Sequence, residues 1–252
     1  MAKRSAVQKK AMRAARKRGA DDSVVVNINS RNTYYDNVSP SNKAAPPLTA
    51  KNKSQASYIS AIKAHKLTFG IGPAGTGKSY CAGALAAEEL ENRRIEKIII
   101  SRPAVEAGEN MGFLPGDLQE KFDPYFDAFR DCLIDRLGKG VVECALKNGR
   151  ILVSPLAYLR GKTFNDAFVV LDEAQNCTRS QLKMFLTRIG ENCRVVVNGD
   201  IRQTDIGNGS GLQDAIDRLG SLDSVYVHEF THEDIVRSGL VKDIIERYEH
   251  YT

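Results

Sequence analysis

The chain has 252 residues, 42% hydrophobic and 27% charged, enough to bury the core of one large domain or two small ones. No stretch approaches the ~20 consecutive apolar residues that span a bilayer, and no apolar region follows the basic N-terminus. Secretion and membrane contact are therefore not expected, and a cytoplasmic protein is. The net charge of +5 is unevenly placed: residues 1–20 hold eight basic residues and no acid, which leaves the remainder at −3.

That leader suits a polyanion, because lysines and arginines on phosphates release counterions. Residues 21–53 are rich in Asn, Ser and Pro, so residues 1–53 are expected to form a basic, largely disordered arm and linker ahead of a domain at 54–252. Beyond residue 54 the pattern alternates. Short apolar runs at 67–71, 97–101, 150–154, 168–172, 194–198 and 225–229 predict strands, with predicted helices at 78–92, 123–137, 178–189, 209–219 and 235–250. Continuous apolar runs are those of strands buried on both faces, so the expected class is α/β with a mostly parallel sheet. The five cysteines include no C-x-x-C pair and predict reduced thiols. His228 and His232 share a helical spacing, but without an HExxH pattern or a cysteine neighbour no zinc site is expected.

Between the first predicted strand and the first predicted helix lies Gly72-Pro73-Ala74-Gly75-Thr76-Gly77-Lys78-Ser79, a complete G-x-x-x-x-G-K-[ST] motif, followed by Tyr80. Glycines let successive N–H groups turn inward around phosphate oxygens, and the helix N-terminus adds partial positive charge. Lys78 is the expected contact to the β and γ phosphates of ATP, and the Ser79 hydroxyl an expected Mg²⁺ ligand. Such a site needs a carboxylate at the end of a nearby strand. The run FVVLDEAQ supplies Asp172 for the metal and Glu173 as a base for attacking water. Gln175, Asp200 and Gln203, also just past strands, are expected to sense the γ-phosphate. Arg188 and Arg237 are candidates to neutralise transition-state charge.

The segments LTFGIGPAGTGKSY, SRPAVEAGENMGFLPGDLQEKFDPY, FVVLDEAQNCTRSQLKMFLTRIG and VVVNGDIRQTDI together resemble the PhoH-like family of P-loop ATPases, which is related to superfamily one helicases. The resemblance spans about 54 to 250 and implies a RecA-like three-layer α/β/α domain. It also implies that Gln55 reads adenine, that residues 101–121 contact single strands, that Asp200 and Gln203 form a coupling motif, and that Arg237 is the family's late arginine. Ser238 stands where the family often has His. Some members carry an upstream PIN nuclease domain; with only three acids among the 53 residues before the core, that activity is not expected here.

The leading expectation is an Mg²⁺-dependent ATPase coupled to single-stranded RNA or DNA, RNA by the resemblance. A lone RecA-like core lacks the second face of a helicase cleft, so a homo-oligomer such as a hexameric ring would supply it. The alternative is a P-loop kinase acting on a small molecule, whose arginine lid would have to come from an insertion at 104–148 that offers only Arg130 and Arg136. A binding protein with nucleotide as a structural switch is a third reading, disfavoured by Glu173.

Overall fold

The computed structural model describes residues 46–103, 118–206 and 209–236, together with 239 and 247. Six strands form one sheet: β1 (Leu67–Ile71), β2 (Lys97–Arg102), β3 (Ile151–Pro155), β4 (Ala167–Leu171), β5 (Cys193–Gly199) and β6 (Val225–Glu229). Their order is β3-β2-β4-β5-β1-β6, and every pairing is parallel. Among the described residues the helices that cover it are α1 (Lys53–Ala64), α2 (Lys78–Glu91), α3 (Leu118–Leu137), α4 (Lys139–Lys147), α5 (Arg179–Leu186) and α6 (Leu212–Leu219).

Each continuous apolar run is split by the two-residue period of a strand between two cores. Ile98, Ile100, Phe168, Val170 and Val196 pack with Tyr58, Leu85, Phe129 and Val142 on the side of α1 to α4. Phe69, Ile99, Val169, Leu171, Val195 and Val197 pack with Leu182, Phe185 and Leu212 on the side of α5 and α6. The result is the three-layer α/β/α domain expected of a P-loop NTPase.

Two helices were not predicted. In α1 only Gln55, Tyr58, Ala61 and Ile62 are buried, so its apolar stripe is short, and it starts on Asn52, whose side chain accepts the Gln55 N–H. The short α4 buries only Val142 and Ala145. Residues 46–53 also belong to the folded body. The Pro46 carbonyl accepts from Arg136 at 2.6 Å, and Leu48 packs on the core, so the domain begins earlier than its polar composition suggests. Residues 1–45 of the arm expected at 1–53 lie outside the described residues, as does most of the helix expected at 235–250; Ile235 and Val236 themselves are not helical.

Candidate active site

The site is built where parallel strands end. β5 lies between β1 and β4, so the loop leaving β1 and the residues following β4 start two strand spacings apart, about 9.5 Å. The 72–79 loop crosses that gap over the end of β5. Two glycines let it do so. Gly72 has φ +132°, and a Cβ there would lie 2.3 Å from the Phe230 carbonyl oxygen; Gly77 has φ +88°, and a Cβ would lie 2.6 Å from Gln55 Nε2. α2 then begins at Lys78 with its first N–H groups facing the loop.

Lys78 turns back over the loop, donating from Nζ to the carbonyls of Gly72 at 2.6 Å and Pro73 at 2.7 Å. Burial pushes its ammonium below the ordinary lysine value, against the opposing pull of Asp200, Asp172 and Glu173. The Ser79 hydroxyl donates to Asp172 Oδ1 at 2.9 Å. Asp172, just past β4, is 3% exposed. A buried carboxylate beside a hydroxyl, open to a phosphate loop, suits Mg²⁺, which takes one or two protein oxygens and completes its shell with phosphate and water. Among the described residues no cluster of three or more His, Cys, Asp or Glu forms a separate all-protein metal cage.

Glu173 is exposed and adopts the left-handed conformation, φ 56° and ψ 40°, costing a non-glycine residue about 1 kcal/mol. Its carboxylate accepts from Gln175 Nε2 at 2.7 Å, while Gln175 Oε1 accepts the Asp200 N–H at 3.0 Å. Buried Gln175 thus ties Glu173 to the end of β5. Gly199 makes room for it: a Cβ there would lie 2.9 Å from Gln175 Oε1. Asp200 turns its carboxylate to the Arg202 N–H at 3.0 Å, and Gln203 is held by its own N–H on the Asp200 carbonyl at 3.2 Å.

These groups line one cavity of about 470 Å³, bounded by the phosphate loop with Ala74 and Gly75, by Asp172, Glu173, Gln175, Asp200 and Gln203, and by Tyr80, which is 48% exposed. Lys51 and Val236 close its rim.

Gln55 reaches the cavity wall, but its amide is engaged with backbone on both sides. Oε1 accepts the Lys51 N–H at 2.8 Å, and Nε2 donates to the Thr76 carbonyl at 2.9 Å. That makes it a brace between α1 and the phosphate loop. Arg188 is not brought to the site. Its carbonyl accepts the Phe164 N–H at 2.8 Å, ahead of β4, and its Nε donates to Met184 O. It therefore lies at least a strand length, about 16 Å, from Asp172. The reason is geometric: the helix after β4 runs back along the sheet and ends near the start of β4, at the opposite end of the strands. Arg237 and most of 101–121 lie outside the described residues. Arg102, the last of β2 and part of the 101–121 segment expected to contact single strands, has a role the sequence did not announce: it pairs with Asp172 through Nη2 at 2.6 Å. Its partner is 70 residues away, and no local pattern announces it.

No helix among the described residues is long and apolar enough to cross a membrane. The profile of the PhoH-like proteins matches residues 47–249. A PhoH-like protein of Mycobacterium tuberculosis strain H37Rv is 49% identical over 203 residues, covering 80% of this chain and 58% of the relative. A PhoH-like protein of Bacillus subtilis is 46% identical over 219 residues, covering 86% and 69%. Protein PhoH of Escherichia coli K12 is 46% identical over 206 residues, covering 80% and 58%. The chain thus spans under two thirds of the mycobacterial and Escherichia coli relatives. With the profile covering the phosphate loop, the Asp172–Glu173 pair and all six strands, the chain belongs to the PhoH-like family.

Proposed function

We propose that the chain binds ATP with Mg²⁺, hydrolyses it, and couples hydrolysis to single-stranded nucleic acid, RNA first. The observation that carries the reading is the Ser79–Asp172 hydrogen bond at 2.9 Å beside a Glu173 held by Gln175 at 2.7 Å. It unites a metal carboxylate, a helix-start hydroxyl and a solvent-facing base at one cavity.

Lys78 exchanges the Gly72 and Pro73 carbonyls for phosphate oxygens, and the added negative charge restores its proton affinity. Ser79 and Asp172 would hold Mg²⁺, which would supply positive charge against the phosphates. Glu173 takes a proton from attacking water, and Gln175 keeps its carboxylate turned inward. The nucleic-acid part rests on the basic residues of 1–20 and on the family resemblance, and a ring in which a neighbouring subunit completes the site rests on the lone core's lack of a second face.

The test is phosphate release from Mg-ATP with and without single-stranded RNA or DNA. Release stimulated by RNA supports the reading. Release indifferent to either polymer removes its nucleic-acid part, and phosphate transfer to a metabolite without release would instead establish the kinase alternative.

A further inference from the structure

Asp172 is almost fully buried, and a carboxylate so placed needs a compensating charge. Both of its oxygens are occupied. Oδ1 accepts from Ser79, while Oδ2 accepts from Arg102 twice, through Nη2 at 2.6 Å and Nε at 3.2 Å. Lys78, across the cavity, spends its donors on loop carbonyls instead. The Arg102 guanidinium is therefore the cation in direct contact with Asp172, while Lys78 acts on it only through space. Mg²⁺ demands a carboxylate oxygen at about 2.0–2.1 Å with near-octahedral neighbours. A guanidinium already 2.6 Å from that carboxylate obstructs this by sterics and by like charge.

Resting on the nucleotide reading above, we propose that Arg102 is an exchangeable counter-ion: it balances Asp172 until metal arrives with nucleotide phosphates, and only then releases it. The Arg102 side chain is 18% exposed at the end of β2, so it has a solvent-facing route away from the carboxylate. The consequence is coupled loading. A divalent cation alone must displace Arg102 without compensation, whereas metal bound to a polyphosphate brings negative charge that stabilises both released cations. A purely structural brace would hold Asp172 equally in every state.

The test uses the full chain, Arg102→Gln and Asp172→Asn. Mn²⁺ is titrated alone, with the free ion followed by electron paramagnetic resonance, and a fluorescent ADP analogue is titrated at rising Mg²⁺. Arg102→Gln should lower the Mg²⁺ midpoint for nucleotide binding and tighten Mn²⁺ alone by about five-fold or more, the lower end of ordinary coupling between sites. Asp172→Asn should raise the midpoint. A midpoint unchanged or raised in Arg102→Gln, with nucleotide still bound, overturns the counter-ion role alone. Absence of nucleotide binding by the unaltered chain at any Mg²⁺ concentration overturns the functional reading on which it rests.

Thermal unfolding supplies the second readout. Arg102→Gln should melt below the unaltered chain in chelator, and that deficit should shrink with Mg-ADP, because the metal then carries the compensating charge. An equal deficit in both conditions makes Arg102 a structural brace and overturns the proposal. If Arg102→Gln does not fold, Arg102→Lys keeps the charge with a poorer fork and should shift the midpoint in the same direction by less; an unshifted midpoint there overturns the proposal.

Discussion

Gln175 donates to Glu173 at 2.7 Å while accepting the Asp200 N–H at 3.0 Å, so the orientation of the base is slaved to the end of β5, the strand between β4 and the phosphate-loop strand β1. Gln175→Ala removes that tether and leaves Lys78, Ser79 and Asp172 in place. Turnover should fall by about ten-fold or more, bounded by the 10² to 10⁴ that a general base contributes. Nucleotide affinity should stay within a few-fold. Single-turnover hydrolysis with a parallel binding titration checks this, and an equal loss of affinity would mean that Gln175 supports the loop rather than the base.

Gln55 separates two roles. Its buried amide satisfies the Lys51 N–H and the Thr76 carbonyl. Gln55→Ala should therefore weaken ATP and GTP alike and lower stability by about 1–3 kcal/mol, the cost of buried groups left unpaired. Binding of both nucleotides, with denaturant unfolding, checks it. Selective loss of ATP would assign Gln55 to the adenine, as the family resemblance implies.

What could be read from sequence was what is contiguous. The 72–79 loop and the Asp172–Glu173 pair are runs whose residue order is their geometry, and buried strands announce themselves by apolar runs. Arg102 with Asp172, and Tyr58 with Asn198 at 2.5 Å, join residues 70 and 140 positions apart. Only the strand order brings them together. Arg188 misled for the same reason: its distance in sequence from Asp172 is short, but the intervening helix carries it back to the opposite end of the strands.

His228 shares a hydrogen bond with Ser54 at 3.0 Å and packs against Phe230 and Tyr58. Burial lowers its proton affinity below the ordinary value of 6.5, only partly opposed by Asp234. The folded state then binds fewer protons than the unfolded one, so this stability is complete above about pH 6.5 and is lost as pH falls through the lowered value. His228→Gln should flatten the decline in melting temperature between about pH 7.5 and about pH 5.5. An unchanged slope would place the acid sensitivity elsewhere.

Arg237 carries the composite-site proposal. A finger donated by a neighbouring subunit is worth about 10³ to 10⁵ in turnover. Arg237→Ala should nearly silence hydrolysis with affinity retained, and mixing it with Lys78→Ala subunits should restore part of the activity. No restoration in subunits shown to co-assemble would rule out action in trans.

Most directly at issue is the division of labour between adjacent carboxylates, Asp172 for metal and Glu173 for water. The decisive measurement is the fate of Mg-ATP on Glu173→Gln, followed by nucleotide binding and phosphate release on the same sample. The predicted result is ATP held with affinity within a few-fold of the unaltered chain and turnover lower by about 10² or more. Hydrolysis at the unaltered rate, or loss of binding as complete as in Lys78→Ala, would contradict it.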